Sequence, residues 1–339
     1  MRALVLAGLF ACGSSHSAAN GDGSNGGGSD GSGSGSDGGC CDGARDGGLT
    51  TGSDAGSCTP SCPTGQWCSE DASLGATIGL LGVWAADADH VFAVGDGGTI
   101  VLRRCTGWTA MTSNTNKNLT GVWAASASDA WAVGDSGTLL HYDGTSWTAT
   151  TGQTDNFTAV WGAAGNDVWA VGESGIAHHW DGNSWTSSPV GGTLLGISGD
   201  SANDVWTTGE SSNIDHYTTS WGLPSDDDPA GDELYFAVLA ISSTDVWVTS
   251  AIANKETLVS ADHGASWTGH STSGKVIQGM WARSATDIWG VASKDVAHWD
   301  GSGWTFVQPM GSTATLLGVT GTATDTYVVG TAATILHGD

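Results

Sequence analysis

The sequence predicts an all-β protein, a seven-bladed β-propeller with four antiparallel strands per blade. Three observations carry that prediction. Residues 119–147, LTGVWAASASDAWAVGDSGTLLHYDGTSW, return 38 positions later as FTAVWGAAGNDVWAVGESGIAHHWDGNSW. A repeat near 40 residues with four short apolar pieces is the length of one propeller blade. Val83, Val122, Val160, Ile197, Val238, Met280 and Val319 fall in register at spacings of 39, 38, 37, 41, 42 and 39, which counts seven units. The last unit stops after its third strand, while an orphan fourth-strand start, Gly65-Gln66-Trp67, stands before the first unit. Completion of the seventh blade by residues 65–69 accounts for both and hides two sheet edges.

The elements follow in order. Residues 1–12 form one positive charge, a short apolar run and Leu9-Phe10-Ala11-Cys12. Residues 13–57 are almost entirely Gly, Ser, Asp and Asn. Such a stretch cannot bury enough apolar surface to fold and is expected to act as a tether reaching roughly 35–40 Å. Residues 58–80 hold a Cys-rich segment and the closing strand, and residues 81–339 the ring. In the second unit, strands are predicted near 119–124, 129–134, 137–142 and 146–150. Trp131 and Val133 alternate with Ala130 and Ala132 at the two-residue period of a strand. Gly, Asp, Asn and Ser break the runs at hairpin spacing. No stretch sustains a helical period. A sandwich would not repeat its sequence, and a solenoid coil is usually shorter.

Eighteen Trp against five Phe fit the same scheme. Trp67, Trp108, Trp147, Trp185, Trp221, Trp267 and Trp304 open fourth strands. Trp131, Trp169, Trp206, Trp247 and Trp289 fill second strands, with Phe92 and Tyr327 in the outer copies. An aromatic ring repeated once per blade is a packing element, covering about 150–250 Å² between sheets, rather than a sugar platform.

The run Ser260, Asp262, Gly264, Ser266 and Trp267 matches the pattern S-x-D-x-G-x-[ST]-W. Asp143 to Trp147, Asp181 to Trp185 and Asp300 to Trp304 are versions one residue shorter. Region 65–339 thereby resembles the BNR/Asp-box propellers, a superfamily that includes sialidases and photosystem II assembly-factor-like proteins. The resemblance implies a hairpin between third and fourth strands and leaves activity open, because both hydrolases and binding proteins share it. Sialidases use three arginines around a carboxylate, a Tyr–Glu nucleophile pair and an Asp acid/base. The ring has only Arg103, Arg104 and Arg283, two of them neighbours whose side chains diverge on a strand. No convergent nucleophile, base and orienting group is visible in the sequence. A non-enzymatic reading is therefore preferred over the alternative, a secreted glycan hydrolase.

The N-terminus resembles a bacterial lipoprotein signal peptide, which implies lipid attachment at Cys12 and an exported, envelope-anchored or surface protein; plain secretion is the alternative. Nothing later is long enough to span a membrane. In an exported chain the remaining cysteines, Cys40, Cys41, Cys58, Cys62, Cys68 and Cys105, read as disulfides. A bridge from the Cys58, Cys62, Cys68 cluster to Cys105 is expected to staple the closure. The net charge of −26 disfavours nucleic acid and favours a cationic partner or calcium; no other cofactor is implied.

Recurrent polar residues are expected to be scaffold. Asp129, Asp167, Asp204, Asp245, Asp287 and Asp325 each precede the second-strand aromatic by two positions, as turn caps would. His141, His179, His216, His298 and His337 recur in the third strand, more than about 10 Å apart across a ring of strands spaced 4.8 Å and so unable to share one ion. The candidate site lies where the repeat is broken. Asp226, Asp227, Asp228, Asp232 and Glu233 lengthen the linker into blade 5, Lys255 and Glu256 lengthen its second hairpin, and Leu239 replaces its first-strand Trp. The expected function is presentation of these loops, by a monomer, to a protein or glycan at the cell surface, with calcium as a possible ligand.

Overall fold

The computed structural model describes residues 62–210, 214–222, 234–251 and 256–339, and the backbone of Cys12–Gly13. Seven sheets form a closed ring. Their first strands, Leu80–Asp87, Leu119–Ser126, Phe157–Ala164, Leu194–Ser201, Tyr235–Ala240, Gly279–Ser284 and Leu316–Gly321, lie innermost and neighbour one another around the ring. Each blade then runs outward as an antiparallel meander. The register of the repeat holds: Val83 faces Ala93, Val122 faces Ala132 and Met280 faces Gly290 across the first two strands. The seventh blade is completed from the other end of the chain. Cys68–Ser69 pairs antiparallel with Thr334–Gly338, Cys68 opposite His337. Gly65 N–H donates to Asp339 Oδ1 at 2.8 Å, which secures the two termini of the ring to each other.

Element lengths differ modestly from expectation. The first strand of blade 2 runs on to Ser126 because a register shift between Ala124 and Ser126 lets pairing resume after an extra residue. The second hairpins of blades 1 and 2 close through single 3-10 turns, Asp96–Gly98 and Asp135–Gly137. No helix among the described residues is long and apolar enough to cross a membrane. Cys12–Gly13 pairs parallel with Leu239–Ala240, along the inner edge of blade 5.

The aromatic stripes form one interlocking device. In the first six blades the second-strand ring meets the fourth-strand Trp of the next blade, edge to face: Phe92 with Trp147, Trp131 with Trp185, Trp169 with Trp221, Trp206 with Trp267 and Trp247 with Trp304, at 5.4–6.5 Å. Trp289 of blade 6 meets Trp67 at 5.6 Å and 76°, so the closing strand carries the series into blade 7. Each contact adds about 0.5–1.5 kcal/mol beyond the area buried. A second, inner layer uses the first-strand Trp. Trp123 lies against Gly162, Trp161 against Gly199 and Trp281 against Gly321, where a Cβ would sit 2.6–2.7 Å from the indole. Leu239 is not the sole departure. Blades 4 and 7 carry Ser198 and Thr320 there, and their hydroxyls accept the N–H groups of Ala240 and Ala85 in the next blade at 3.0 and 3.1 Å.

Cys62 and Cys68 are bonded to each other, six residues apart. Cys105 is also disulfide-bonded, to neither of these two. The expected staple therefore does not run through Cys62 or Cys68; Cys58 lies outside the described residues.

Candidate functional site

The two ends of the ring differ in chemistry. Hairpins joining first to second and third to fourth strands share one end, here called the hairpin end. Second-to-third hairpins and interblade linkers share the other, the linker end.

At the hairpin end the recurrent acids are consumed internally. The recurrent His and Asp residues pair within each blade: His141 with Asp129, His179 with Asp167, His216 with Asp204, His298 with Asp287 and His337 with Asp325, at 2.6–2.9 Å. Each imidazole lies over the aromatic of its own second strand at 3.9–4.8 Å. These aspartates thus serve mainly as histidine partners rather than turn caps. The capping falls to the residue opening each turn, as Ser128, Thr244, Thr286 and Thr324 N–H donate to Ser126, Ser242, Ser284 and Thr322. Blade 5 has Val259 opposite Trp247 in place of a histidine, and burial pushes its Asp245 carboxyl up, partly offset by the Trp247 indole N–H.

The hairpins between third and fourth strands cap themselves. Ser266 donates through both hydroxyl and N–H to Asp262, and Gly264 N–H donates to Ser260. The Ser266 hydroxyl, its N–H and the Ser260 hydroxyl hold Asp262 below the usual carboxylate range. The hydroxyl and N–H of Ser302, with the N–H of Gly303, hold Asp300 at about 2. Trp267 packs outward against Trp206. The five residues make a turn, and their polar groups face one another.

Two of the three ring arginines are also committed to the scaffold. Arg103 is 3% exposed, donates to Glu70 and Ala88 O, and lies over Tyr327. Arg283 donates to Asp287, Thr322 O and Thr326. Only Arg104 is exposed; it lines a cleft of about 380 Å³ with Leu102, Met111, Asn114 and Trp147. These positions leave no three-arginine grip for a carboxylate.

The linker end keeps its acids available. Asp96, Asp135, Glu173 and Glu210 follow the second strands of blades 1 to 4 at one position of the repeat. Asp96 accepts Gly79 N–H, Asp135 accepts the Asn118 amide and Glu173 accepts the Asn156 amide, at 2.7–3.1 Å. Asn118 and Asn156 also take the N–H of Gly97 and Ser136, so each stitches one blade's hairpin to the next. Among the described residues, none of the four acids is ion-paired to Lys or Arg. The sequence has no Lys or Arg between Lys117 and Lys255, so no basic side chain lies between Asp135 and Glu210, and Lys117 is the one in the linker that joins blades 1 and 2.

Of the sequence-predicted patch, Glu256 opens the third strand of blade 5, opposite Ser271. Asp226, Asp227, Asp228, Asp232, Glu233 and Lys255 lie outside the described residues. No cluster of three His, Cys, Asp or Glu able to hold a metal occurs among the described residues. Sequence reasoning missed two features. Asp215, 7% exposed, faces the interior of blade 4, and burial raises its carboxyl to about 6. Ser187, His178 and Asp155 also converge in blade 3. The legible signal was His178 beside the repeat histidine His179.

The fold and both ends define the class: a closed seven-bladed propeller whose recurrent polar residues are structural. No family model matches the chain, and no curated protein matches it. Solved structures do. YCF48 bound to D1 peptide superposes with a TM-score of 0.66 at 14% identity, over 82% of this chain and 98% of that one. The WD40 propeller domain of Doa1 gives 0.66 at 13%, over 80% and 94%. Virginiamycin B lyase from Staphylococcus aureus gives 0.70 at 11%, over 80% and 98%. At these identities the likeness is one of fold.

Proposed function

We propose that this chain is an exported propeller that binds a cationic protein segment at its linker end. The observation that carries the reading is the asymmetry of the acids. The recurrent acids of the hairpin end are spent on histidines and backbone N–H groups, whereas Asp96, Asp135, Glu173 and Glu210 each keep a carboxylate oxygen without a hydrogen bond among the described residues, and no Lys or Arg lies between Asp135 and Glu210 in the sequence. A potential of one sign on one face steers an oppositely charged partner and falls with ionic strength. Glu256, which opens the third strand of blade 5, stands at the same end; the acidic insertion 224–233 and Lys255 lie outside the described residues. The D1 peptide bound by YCF48 is consistent with a protein segment, and the committed arginines weigh against sialidase-type hydrolysis. The N-terminal sequence supports lipidation at Cys12 and a tether to a membrane.

The test is binding of a labelled lysine- and arginine-rich peptide and an acidic peptide of equal length. Binding of the basic peptide alone, weakened about tenfold or more in an Asp96→Asn, Asp135→Asn, Glu173→Gln, Glu210→Gln variant, supports the reading. Equal affinity in wild type and variant contradicts it.

A further inference from the structure

Blade 3 departs from the repeat at three residues that meet in space. His178 and Ser187 face each other across the third and fourth strands, Ile176–Trp180 and Trp185–Pro189. The Ser187 oxygen is 2.9 Å from His178 Nδ1. His178 Nε2 is 2.6 Å from Asp155 Oδ2, in the linker entering the blade. We infer that Ser187, His178 and Asp155 form a nucleophilic triad that makes Ser187 reactive toward carboxylic esters.

The proton positions follow from the partners. A carboxylate can only accept, so Nε2 carries the imidazole proton and donates it to Asp155. Nδ1 is then an acceptor, and the Ser187 hydroxyl donates to it. That is the arrangement in which an oxygen lone pair faces outward while a base holds its proton. Exposure has the same polarity. Ser187 is exposed, the Asp155 side chain is 19% exposed and the His178 ring 4%. The nucleophile meets solvent while the base lies beneath it, with Phe157 edge-on at 5.3 Å.

The scaffold does not require this set. The cross-strand pairs at the same place in other blades are Val101 with Ala110, Leu140 with Ala149, Leu258 with Gly269, Ala297 with Phe306 and Leu336 with Ser69, and blade 4 has Asp215 at the position of His178. The structural partner pair of blade 3, His179 with Asp167, is intact on the opposite face of the sheet. In five of the six other blades an apolar residue, Val101, Leu140, Leu258, Ala297 or Leu336, satisfies the fold where blade 3 has a buried imidazole. The triad is also held still. Asp155 O accepts Gly137 N–H at 2.7 Å, and the next residue, Asn156, is fixed to Ser136 and Glu173. Such support from outside the reacting groups is what keeps a constellation aligned.

The strand geometry places an oxyanion donor nearby. Val190 N–H bonds Gly175 O, and Asp181 N–H bonds Ser184 O. By the alternation of an antiparallel ladder, Ser187 sits at a non-hydrogen-bonded pair, where side chains are closest. Its own N–H points off the outer edge of the blade, next to its hydroxyl.

The reaction balances without a cofactor. Ser187 Oγ bonds to the acyl carbon as its proton moves to His178 Nδ1. The ester C–O bond breaks, and the departing alkoxide takes that proton. Water then attacks the acyl-serine, gives a proton to His178 and releases the acid as Ser187 recovers the proton. One ester and one water yield one acid and one alcohol. The acids around the site and the lack of any Lys or Arg in blade 3 disfavour anionic substrates. Neutral or cationic esters are the class expected.

The test uses the full chain and a fluorophosphonate probe, which forms an Oγ–P bond with loss of fluoride, followed by mass spectrometry of the labelled site and by hydrolysis of a neutral p-nitrophenyl ester. The expected result is label on Ser187 alone, none in Ser187→Ala, and labelling and hydrolysis slowed about 100-fold or more in Asp155→Asn. Thermal melting of both variants keeps folding separate from reactivity. Absence of label on folded wild type, or an unchanged rate in folded Asp155→Asn, would overturn the inference. Neither result depends on the peptide reading of the linker end.

Discussion

Asp215 shows what one residue does when it departs from the repeat. Its equivalents in blades 1, 2 and 5 are Val101, Leu140 and Leu258, and its Oδ2 is buried without a partner. Burial raises the carboxyl to about 6, so the folded state binds the proton more tightly than the unfolded chain does. Stability is then fullest below about pH 4, falls as pH rises to about 6 and is flat above. The difference is on the order of 3 kcal/mol. Asp215→Leu is expected to raise stability by about that amount at pH 8 and far less at pH 4, read from denaturant melts. An equal change at both pH values would contradict this. Asp325 has the opposite sign. Burial raises its carboxyl, but hydrogen bonds from Thr324, His337 and Thr322 outweigh that and lower it overall. Its stabilisation is present above the ordinary carboxylate range and is lost as pH falls through its folded value. None of this was legible in the sequence, where Asp215 stands beside His216 with no sign of which side chain faces inward.

At the scale of elements, the closing strand tests the logic of the ring. Trp67 fills for blade 7 the place that Trp304 fills for blade 6, and it meets Trp289 as the series requires. Trp67→Ala should cost ~2–3 kcal/mol, below the 3–5 of a fully buried Trp, because Trp67 is only partly buried. The Cys62–Cys68 loop is short, so replacing both with Ser should cost about 2 kcal/mol. Thermal melts in reducing and oxidising buffer separate the two effects. A second pair probes the inner layer. Gly162→Ala drives a Cβ into the Trp123 indole and should destabilise by about 1–3 kcal/mol. Trp123→Leu should relieve much of that, giving a coupling of about 1 kcal/mol in the double mutant; strict additivity would contradict the packing argument. The strands, their count and the closure were readable because every blade repeats the same apolar register. The inner hydroxyls Ser198 and Thr320 were not, because a missing Trp does not say what its backbone neighbour will bond. The triad escaped for a similar reason. Asp155, His178 and Ser187 are 23 and 9 residues apart, and only the strand register brings them together.

The whole molecule is a ring with unequal ends. One end saturates its recurrent acids with histidines and turn N–H groups, and the other leaves an arc of carboxylates across four blades. The scaffold residues that catch the eye, eighteen Trp and the recurrent Asp and His, hold the ring. Binding is placed on the linker-end acids of blades 1 to 4, which no histidine pairs with among the described residues. The most direct measurement compares two variants matched in charge: Asp135→Asn with Glu173→Gln at the linker end, and Asp89→Asn with Asp200→Asn at the hairpin end. Affinity for a lysine- and arginine-rich peptide is measured by titration at low and at physiological salt. The account predicts that the linker-end pair weakens binding about tenfold and flattens its salt dependence, while the hairpin-end pair leaves both near wild type. Equal losses from the two pairs would show that net charge alone drives binding, and would contradict a partner site at the linker end.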